Sequence, residues 1–544
     1  LRGYEQAYAE REKSESAGYA DEYVRNFLEG EPIPGIATEY ELAKRFVPGI
    51  QLAEVNRLAR EWISDRSRVV LASAPEKDGV RVATEGALRA VLGRVGGREV
   101  AAYTDSVGAG ALVPTPPTPG RVVSERADTA LGTREWTLSN GVRVILKPTD
   151  FKADEILVSG FSPGGTSLVP DSAYWPVAFA SQIVELGGVG SFDAIALQKK
   201  LAGKAAGASP YISTEYEGLS GRASPKDGET LFQLMYLHFT APRRDSSAVL
   251  AFKQNAKAML AHRSADPEAA FADTLSAVLS QHHPRVRPIT PELVEQLDLD
   301  RSLAFYRDRF ADAGDFTFVI VGTFRPDSLR PLVERYLGGL PATGRRESWR
   351  DVGVRPPAAV VTREVRRGIE PKSQTQIVFT GDFEYTPETR LALRALADVL
   401  EIKLRERLRE ALGGTYGADV YASPSRIPRP AYSLTVSFGS APQRVEELAQ
   451  AVFAEVDSLK ARGPSAEDLA KVKEMYLRQH ETDLKQNGWW LGQLGAYAQN
   501  GEAPQLLLSY LQRVSALTPE MVRDAARRWL DKGRYVKVTL LPEK

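Results

Sequence analysis

The densest chemistry in this 544-residue chain lies where a long helical pattern ends, at Arg409-Glu-Ala-Leu-Gly-Gly-Thr-Tyr416. Glycine tolerates the left-handed conformation that closes many helices, so Gly413-Gly414 is expected to cap this one and swing Tyr416 back toward its end. Arg409 and Tyr416 would then face one space, a guanidinium fork beside a phenol. Such a pair suits a peptide carbonyl and the oxyanion that develops from it. By spacing alone the simpler reading is a solvated Arg-rich helix with an ordinary Gly cap. Arg405 and Arg407 fit that reading, paired with Glu401, Glu406 or Glu410 along the surface.

Other chemistries are poorly supported. The five histidines, His238, His262, His282, His283 and His480, form neither HExxH nor HxxEH, the spacings that turn two imidazoles toward one zinc. On a helix, His282 and His283 would point about 100° apart, which is poor for joint ligation. All five are expected to be surface or packing residues. No GxxxxGK[ST] cradles phosphate, and no GxSxG supplies a nucleophile. Gly187-Gly-Val-Gly190 follows a helical stretch and reads as a C-cap and turn. Glu185 has no evident chemical partner. With no cysteine, thiol nucleophiles, thiolate metal sites and disulfides are excluded together.

Seventy basic and seventy acidic residues cancel, which argues against a polyanion such as nucleic acid as the main partner. Apolar runs such as 316–321 fall far short of the roughly 20 residues that span a bilayer. A cysteine-free chain suits cytosol and periplasm equally. Residue 1 is Leu and the first 28 residues read as helix without a cap, so a start inside a longer polypeptide is expected.

Periodicity places the elements. A strand is expected at 68–74, then a Pro-rich spacer through 113–120. A hairpin follows over 136–146, turning at Asn140-Gly141 in type I′ geometry. A strand at 155–161, a helix at 173–185 and strands in 210–221 come next. Helices at 226–239, 246–262, 267–281 and 300–310 precede a strand at 316–321. After a polar break at 341–357, strands at 359–365 and 375–379 flank a helix over 386–412. Strands at 418–421 and 431–438, helices at 444–461 and 466–485, and a strand at 535–541 complete the chain. Grouped strands and grouped helices with hairpins indicate an α+β fold.

A helix–turn–strand unit recurs. Leu52 to Trp62 leads to Arg68-Val-Val-Leu71, and Thr518 to Trp529 leads to Arg534-Tyr-Val-Lys-Val538. A looser copy runs from Arg301 through Phe316-Thr-Phe-Val-Ile-Val321. A spacing of roughly 220–250 residues is too long for a solenoid and fits duplicated domains.

Three segments resemble the pitrilysin/insulysin family of zinc metallopeptidases, in particular its long bacterial members. Leu138-Ser-Asn-Gly-Val-Arg-Val-Ile-Leu146 resembles the family's domain-opening hairpin. Gly30-Glu-Pro-Ile-Pro-Gly-Ile36, followed by Glu39, is similar to the region after its first catalytic domain. Arg-Glu-x-x-Gly-x-x-Tyr, here Arg409 to Tyr416, resembles its substrate-gripping pair. The resemblance implies repeated α+β domains, each an antiparallel-rich sheet packed with helices, forming half of a clam-shaped chamber. On that reading, 1–105 is the C-terminal part of the second family domain and 106–130 a Pro-rich linker. The third domain, 131–341, has a degenerate, zinc-less site; 342–357 is a linker, and 358–544 is the fourth domain with the Arg/Tyr pair.

The resemblance further implies that Tyr416 and Arg409 bind substrate and transition state, while zinc and the water-activating Glu come from an upstream half or a partner subunit. The helix at 178–185 lacks both histidines of the family's motif, so no zinc is expected on this segment. The expected function is the substrate-binding C-terminal portion of a zinc endopeptidase acting on peptides or unfolded polypeptides, inactive alone. The alternative is a non-catalytic peptide-binding or scaffold subunit of the same fold. Family members of this length are often exported, so a periplasmic or secreted location is expected, with a cytoplasmic one open.

Overall fold

The computed structural model describes residues 1–543 except 64–66, 75–78, 97, 100, 102–109 and 264. The chain divides into two compact units, Leu1–Gly110 and Ala111–Lys544.

The first unit is helical: α1 (Arg2–Ala9), α2 (Ser16–Glu29), α3 (Ile36–Phe46), α4 (Leu52–Trp62) and α5 (Glu85–Gly96). Its helices are amphipathic, and α4 opens on a capping box between Gln51 and Glu54. Yet Ala43 is the one buried residue among those described in this unit, while Phe27, Trp62 and Leu71 are at least three-quarters exposed. The strand expected at 68–74 does not form among the described residues. Its apolar pattern is real, but a strand exists only through the ladder it joins. Pro75, which ends that copy of the repeat, lies outside the described residues.

The second unit holds two mixed sheets with helices packed against them. The first sheet contains β1 (Val122–Asp128), β2 (Thr133–Leu138), β3 (Arg143–Pro148) and β4 (Ile156–Pro163). After α6 (Asp171–Val177), α7 (Ala180–Gly187) and α8 (Ala194–Lys200) come β5 (Ala206–Ile212) and β6 (Tyr216–Ala223). Helices α9 (Gly228–Thr240), α10 (Ser246–Arg263), α11 (Pro267–Leu279), α12 (Pro291–Glu295) and α13 (Leu299–Arg309) lead to β7 (Thr317–Gly322) and α14 (Pro326–Leu332). The second sheet contains β8 (Val361–Arg366), β9 (Ser373–Asp382), β10 (Ala418–Ser425) and β11 (Ala431–Ser440), with α15 (Pro387–Leu404) between β9 and β10. Then α16 (Val445–Arg462), α17 (Ala466–Asp483), α18 (Asn487–Asn500), α19 (Tyr510–Ser515) and α20 (Pro519–Trp529) precede β12 (Tyr535–Leu541).

The strand orders are β1-β2-β3-β7-β4-β6-β5 and β10-β11-β9-β12-β8. Without the β1–β2 extension, the first superposes in order on the second reversed, β3-β7-β4-β6-β5 against β8-β12-β9-β11-β10. The chain directions match as well. The pairs β3/β7 and β8/β12 are parallel, and every other pairing in the two sheets is antiparallel. The α+β reading and the repeated helix–turn–strand ending (α13–β7 and α20–β12) both hold.

The two halves exchange equivalent helices. α18, in the third helical position after its sheet, lays Trp490, Leu494 and Tyr497 against Ile145, Phe161, Val319 and Val321 of the first sheet. α11, in the same position of the other half, lays Phe271 and Val278 against Val365, Val536, Val538 and Leu540 of the second. Asn487 secures one side, donating from Nδ2 to Glu155 at 2.8 Å and accepting from Thr149 at 2.6 Å.

Local departures have local causes. The hairpin turn is a three-residue loop, with Gly141 N–H donating to Leu138 O at 2.9 Å and Gly141 at φ 92°. Asn140 keeps a negative φ because its side chain is held by the carbonyls of Leu337 (2.8 Å) and Leu340 (3.2 Å). The result is a type I turn with a Gly bulge instead of type I′. The helix expected at 173–185 is broken between α6 and α7 beside Pro176. Part of the segment expected as a linker at 106–130 lies outside the described residues, but the rest is built in. Leu112 and Val113 are buried against Val189, Phe192 and Leu237, and β1 is a paired strand. A Pro-rich stretch with apolar neighbours can dock as readily as it can span.

The polar segment before β8 is anchored by charge. Arg309, 4% exposed, donates to Glu347 at 2.8 and 3.1 Å and to Asp308. Asp312 accepts from the backbone N–H groups of Thr343 and Arg345 at 2.9 and 2.7 Å. Behind them Glu217, 1% exposed, accepts from Gly165 N–H at 2.5 Å, with Arg309 3.9 Å away.

Candidate functional site: the capped end of helix α15

α15 starts at a Thr386 N-cap with Pro387 in its first turn, and buries Leu393, Leu396, Leu400 and Leu404 along one face. Over Arg405–Ala411 the coil widens to a π-helical turn, with Leu412 N–H reaching Arg407 O at 3.1 Å. Gly413 then takes φ 55°, and Gly414 N–H closes the end on Leu408 O at 2.9 Å. This is the left-handed cap the glycine pair implied. Leu412 O accepts both terminal nitrogens of Arg444 at 3.1 Å, tying the end to the start of α16.

This frame leaves Arg409 and Tyr416 on the outside. Both are exposed, Tyr416 completely, and among the described residues no hydrogen bond or ring contact joins them to each other or to a third side chain. Arg405 does pair with Glu401, at 3.0 Å, and Lys403 with Glu406 at 2.5 Å, whereas among the described residues Arg407 and Arg409 form no ion pair. Arg409 thus lies on the π-turn and Tyr416 in the short loop between the cap and β10, both facing solvent. π-turns interrupt regular helices mostly where function needs them.

The helices beside the first sheet differ in their chemistry. α6 and α7 have no histidine, and Glu185 accepts a hydrogen bond from Ser209 Oγ at 2.7 Å. Among the described residues no three His, Asp or Glu side chains gather in a way that would hold a metal ion. His238 is buried in α9 with Nε2 3.0 Å from Ala208 O, and burial pushes its pKa down to about 4. His282 and His283 sit beyond α11 rather than on a helix, His282 at φ 57°. His283 Nε2 lies 3.0 Å from Val352 O. His480 is buried in α17, where it packs against Tyr510 and Trp489. The side chain of His262 lies outside the described residues.

One feature escaped sequence reasoning. Between α15, β10 and helices α17–α19 lies a cavity of about 470 Å³, bordered by Arg390, Arg394, Asp398, His480, Trp489 and Arg513. The stretch 487–515 gave no element from periodicity, although Trp489, Trp490 and Tyr497 recur two helical turns apart.

Comparison with known proteins places this architecture. Residues 296–476 match the family profile described as the Peptidase M16 inactive domain. A relative from Arabidopsis thaliana, "Zinc protease PQQL-like", is 27% identical over 99% of this chain and 57% of its own length. The crystal structure of the periplasmic protease PqqL from Escherichia coli superposes with a TM-score of 0.71 at 20% identity, covering 99% of this chain and 60% of that one. The M16 inactive domain from Pseudomonas fluorescens matches with a TM-score of 0.62 at 17% identity, over 76% of this chain and 99% of its own. The resemblance read from the sequence is borne out to this extent: the chain is similar to the M16 inactive domain and to zinc proteases of that kind. Within that family its similarity runs to PqqL-type zinc proteases, and it spans a little under three-fifths of the curated relative's length.

Proposed function

We propose that this chain is the substrate-binding portion of a zinc-dependent endopeptidase, with Arg409 and Tyr416 contacting the peptide. The observation that carries the reading is an exposed Arg409 at the capped, anchored end of α15 with an exposed Tyr416 just beyond the cap, in a chain whose relatives are zinc proteases. Arg409 would hold a backbone carbonyl through its planar fork. The Tyr416 hydroxyl would donate to the oxygen that gains charge as the carbonyl is attacked, an interaction stronger in the transition state than before it. No residue here meets the family's zinc pattern, so the metal and its water-activating carboxylate would belong to an upstream half or partner subunit. The two halves would close around the substrate as a chamber. The Escherichia coli structure is described as a periplasmic protease, which favours an exported location here also.

The test is turnover of a fluorogenic peptide, with and without a zinc chelator, by this chain and by the longer protein that contains it. Chelator-sensitive cleavage confined to the longer form, with kcat reduced at least a hundredfold by Tyr416→Phe, supports the proposal. Full activity in Tyr416→Phe refutes the residue's role. Absence of cleavage and zinc from both forms would leave the peptide-binding scaffold as the function.

A further inference from the structure

The cavity beside α15 is bordered by neither Arg409 nor Tyr416, and its charges are unevenly satisfied. Arg390 is committed: it pairs with Glu502 at 2.8 Å and stacks on Tyr385 at 4.5 Å. Arg394 is not. Its guanidinium lies over the Tyr476 ring at 4.3 Å, and its one ionic neighbour among the described residues, Asp398, is 3.9 Å away, beyond hydrogen-bond reach. Asp398 instead accepts from the Tyr476 hydroxyl. Arg513 donates only to neutral oxygens, Ser509 Oγ at 2.6 Å and Leu506 O at 2.9 Å. Among the described residues no carboxylate comes within 4 Å of it. A guanidinium carries five donors, so both arginines keep several for a ligand.

The charges converge. Burial pushes the Tyr510 phenol up; Arg394 and Arg513 act against that shift, and Asp483 and Asp398 act with it. Asp483 accepts from Gln479 at 2.7 Å and has no cationic partner among the described residues. The remaining wall is aromatic. The rings of His480 and Tyr510 lie 4.8 Å apart, and those of His480 and Trp489 5.8 Å apart. Burial pushes the His480 pKa down, with Asp483 acting against that shift. A volume of about 470 Å³ falls in the range of small-ligand pockets and accommodates one aromatic residue with its backbone.

We propose that this cavity is a binding site for a carboxylate borne on an aromatic residue, gripped by Arg394 and Arg513 while the ring lies against Trp489 and Tyr510. Two sources share that chemistry, the C-terminus of a peptide and a free aromatic amino acid. Asp483 adds a preference for a ligand that also carries an ammonium group. The site involves neither zinc nor Arg409 and Tyr416, so it stands or falls separately from the peptidase reading.

Isothermal titration calorimetry on the 544-residue chain tests it with three probes: a pentapeptide ending in Phe as the free acid, the same peptide as its C-terminal amide, and free phenylalanine. The acid is expected to bind at least tenfold more tightly than the amide. Arg394→Gln and Arg513→Gln should each weaken it tenfold or more with little change in Tm, and Arg394→Lys should restore part of the loss. Tight binding of free phenylalanine would identify the amino acid as the ligand; selective binding of the peptide acid would identify the peptide end. Equal affinity for acid and amide, affinity unchanged in both Gln variants, or no binding of any probe at millimolar concentration overturns the proposal.

Discussion

Replacing Glu217 by Gln should change the pH dependence of stability, by an amount the structure specifies. The carboxyl is 1% exposed, and burial pushes its pKa from 4.5 up to about 7. The Gly165 amide and Arg309 oppose that shift, while Asp315 and Glu347 add to it. Arg309 cannot cancel it, because its donors go to Glu347 and Asp308 and it stays 3.9 Å away. Between pH 4.5 and about 7 the folded protein retains a proton that the unfolded chain has released, so stability falls as pH rises through that window. At about 1.4 kcal/mol per tenfold, the displacement corresponds to about 3 kcal/mol, complete above pH 7. Gln preserves the acceptor for Gly165 N–H and cannot ionise. Urea unfolding of both proteins from pH 4.5 to 8 should show Glu217→Gln gaining about 3 kcal/mol on the wild type across the range. A difference constant within about 0.5 kcal/mol would refute the claim that Glu217 is a buried, under-compensated carboxylate.

Further outcomes follow from the same contacts. Trp490→Ala should cost about 3–5 kcal/mol, since the ring fills the seam between α18 and the first sheet, and calorimetry should resolve separate transitions for the two halves. Gly413→Ala forces a Cβ into φ 55° with no steric neighbour, so its cost should be only about 1–2 kcal/mol by denaturant titration, with peptide affinity falling as the cap shifts. Tyr416→Phe removes a hydroxyl from a fully exposed ring and should leave stability within about 0.5 kcal/mol, so any loss of turnover reports chemistry rather than folding. Asn487→Ala leaves Glu155 and Thr149 without their shared partner and should cost about 1–3 kcal/mol, measured as a lower urea midpoint.

Much of the fold and one part of the site were legible in the linear chain because they rest on local rules. Period-2 and period-3.6 patterns mark β4, α9, α10, α16 and β12 because burial on one face selects residues at those intervals. Gly413-Gly414 announces a left-handed cap because that conformation is cheap only for glycine, and the cap forms. The recurring helix–turn–strand unit signalled duplication, which the matching strand orders display in full. Other features depend on partners distant in sequence. Asn140 declines the positive φ of a type I′ turn because Leu337 and Leu340, nearly 200 residues on, claim its side chain. The apolar residues at 68–74 carry a strand pattern but join no ladder among the described residues. The exchange of α11 and α18 between halves, and the cavity beside α15, arise where elements far apart in sequence meet. The chain by itself thus determined the elements, their caps and their repetition, since each depends on neighbours within a few turns. Which charges go unpaired, and where two arginines come to face one empty space, was decided by tertiary packing alone, because desolvation and Coulomb energies depend on distance in space and not along the chain.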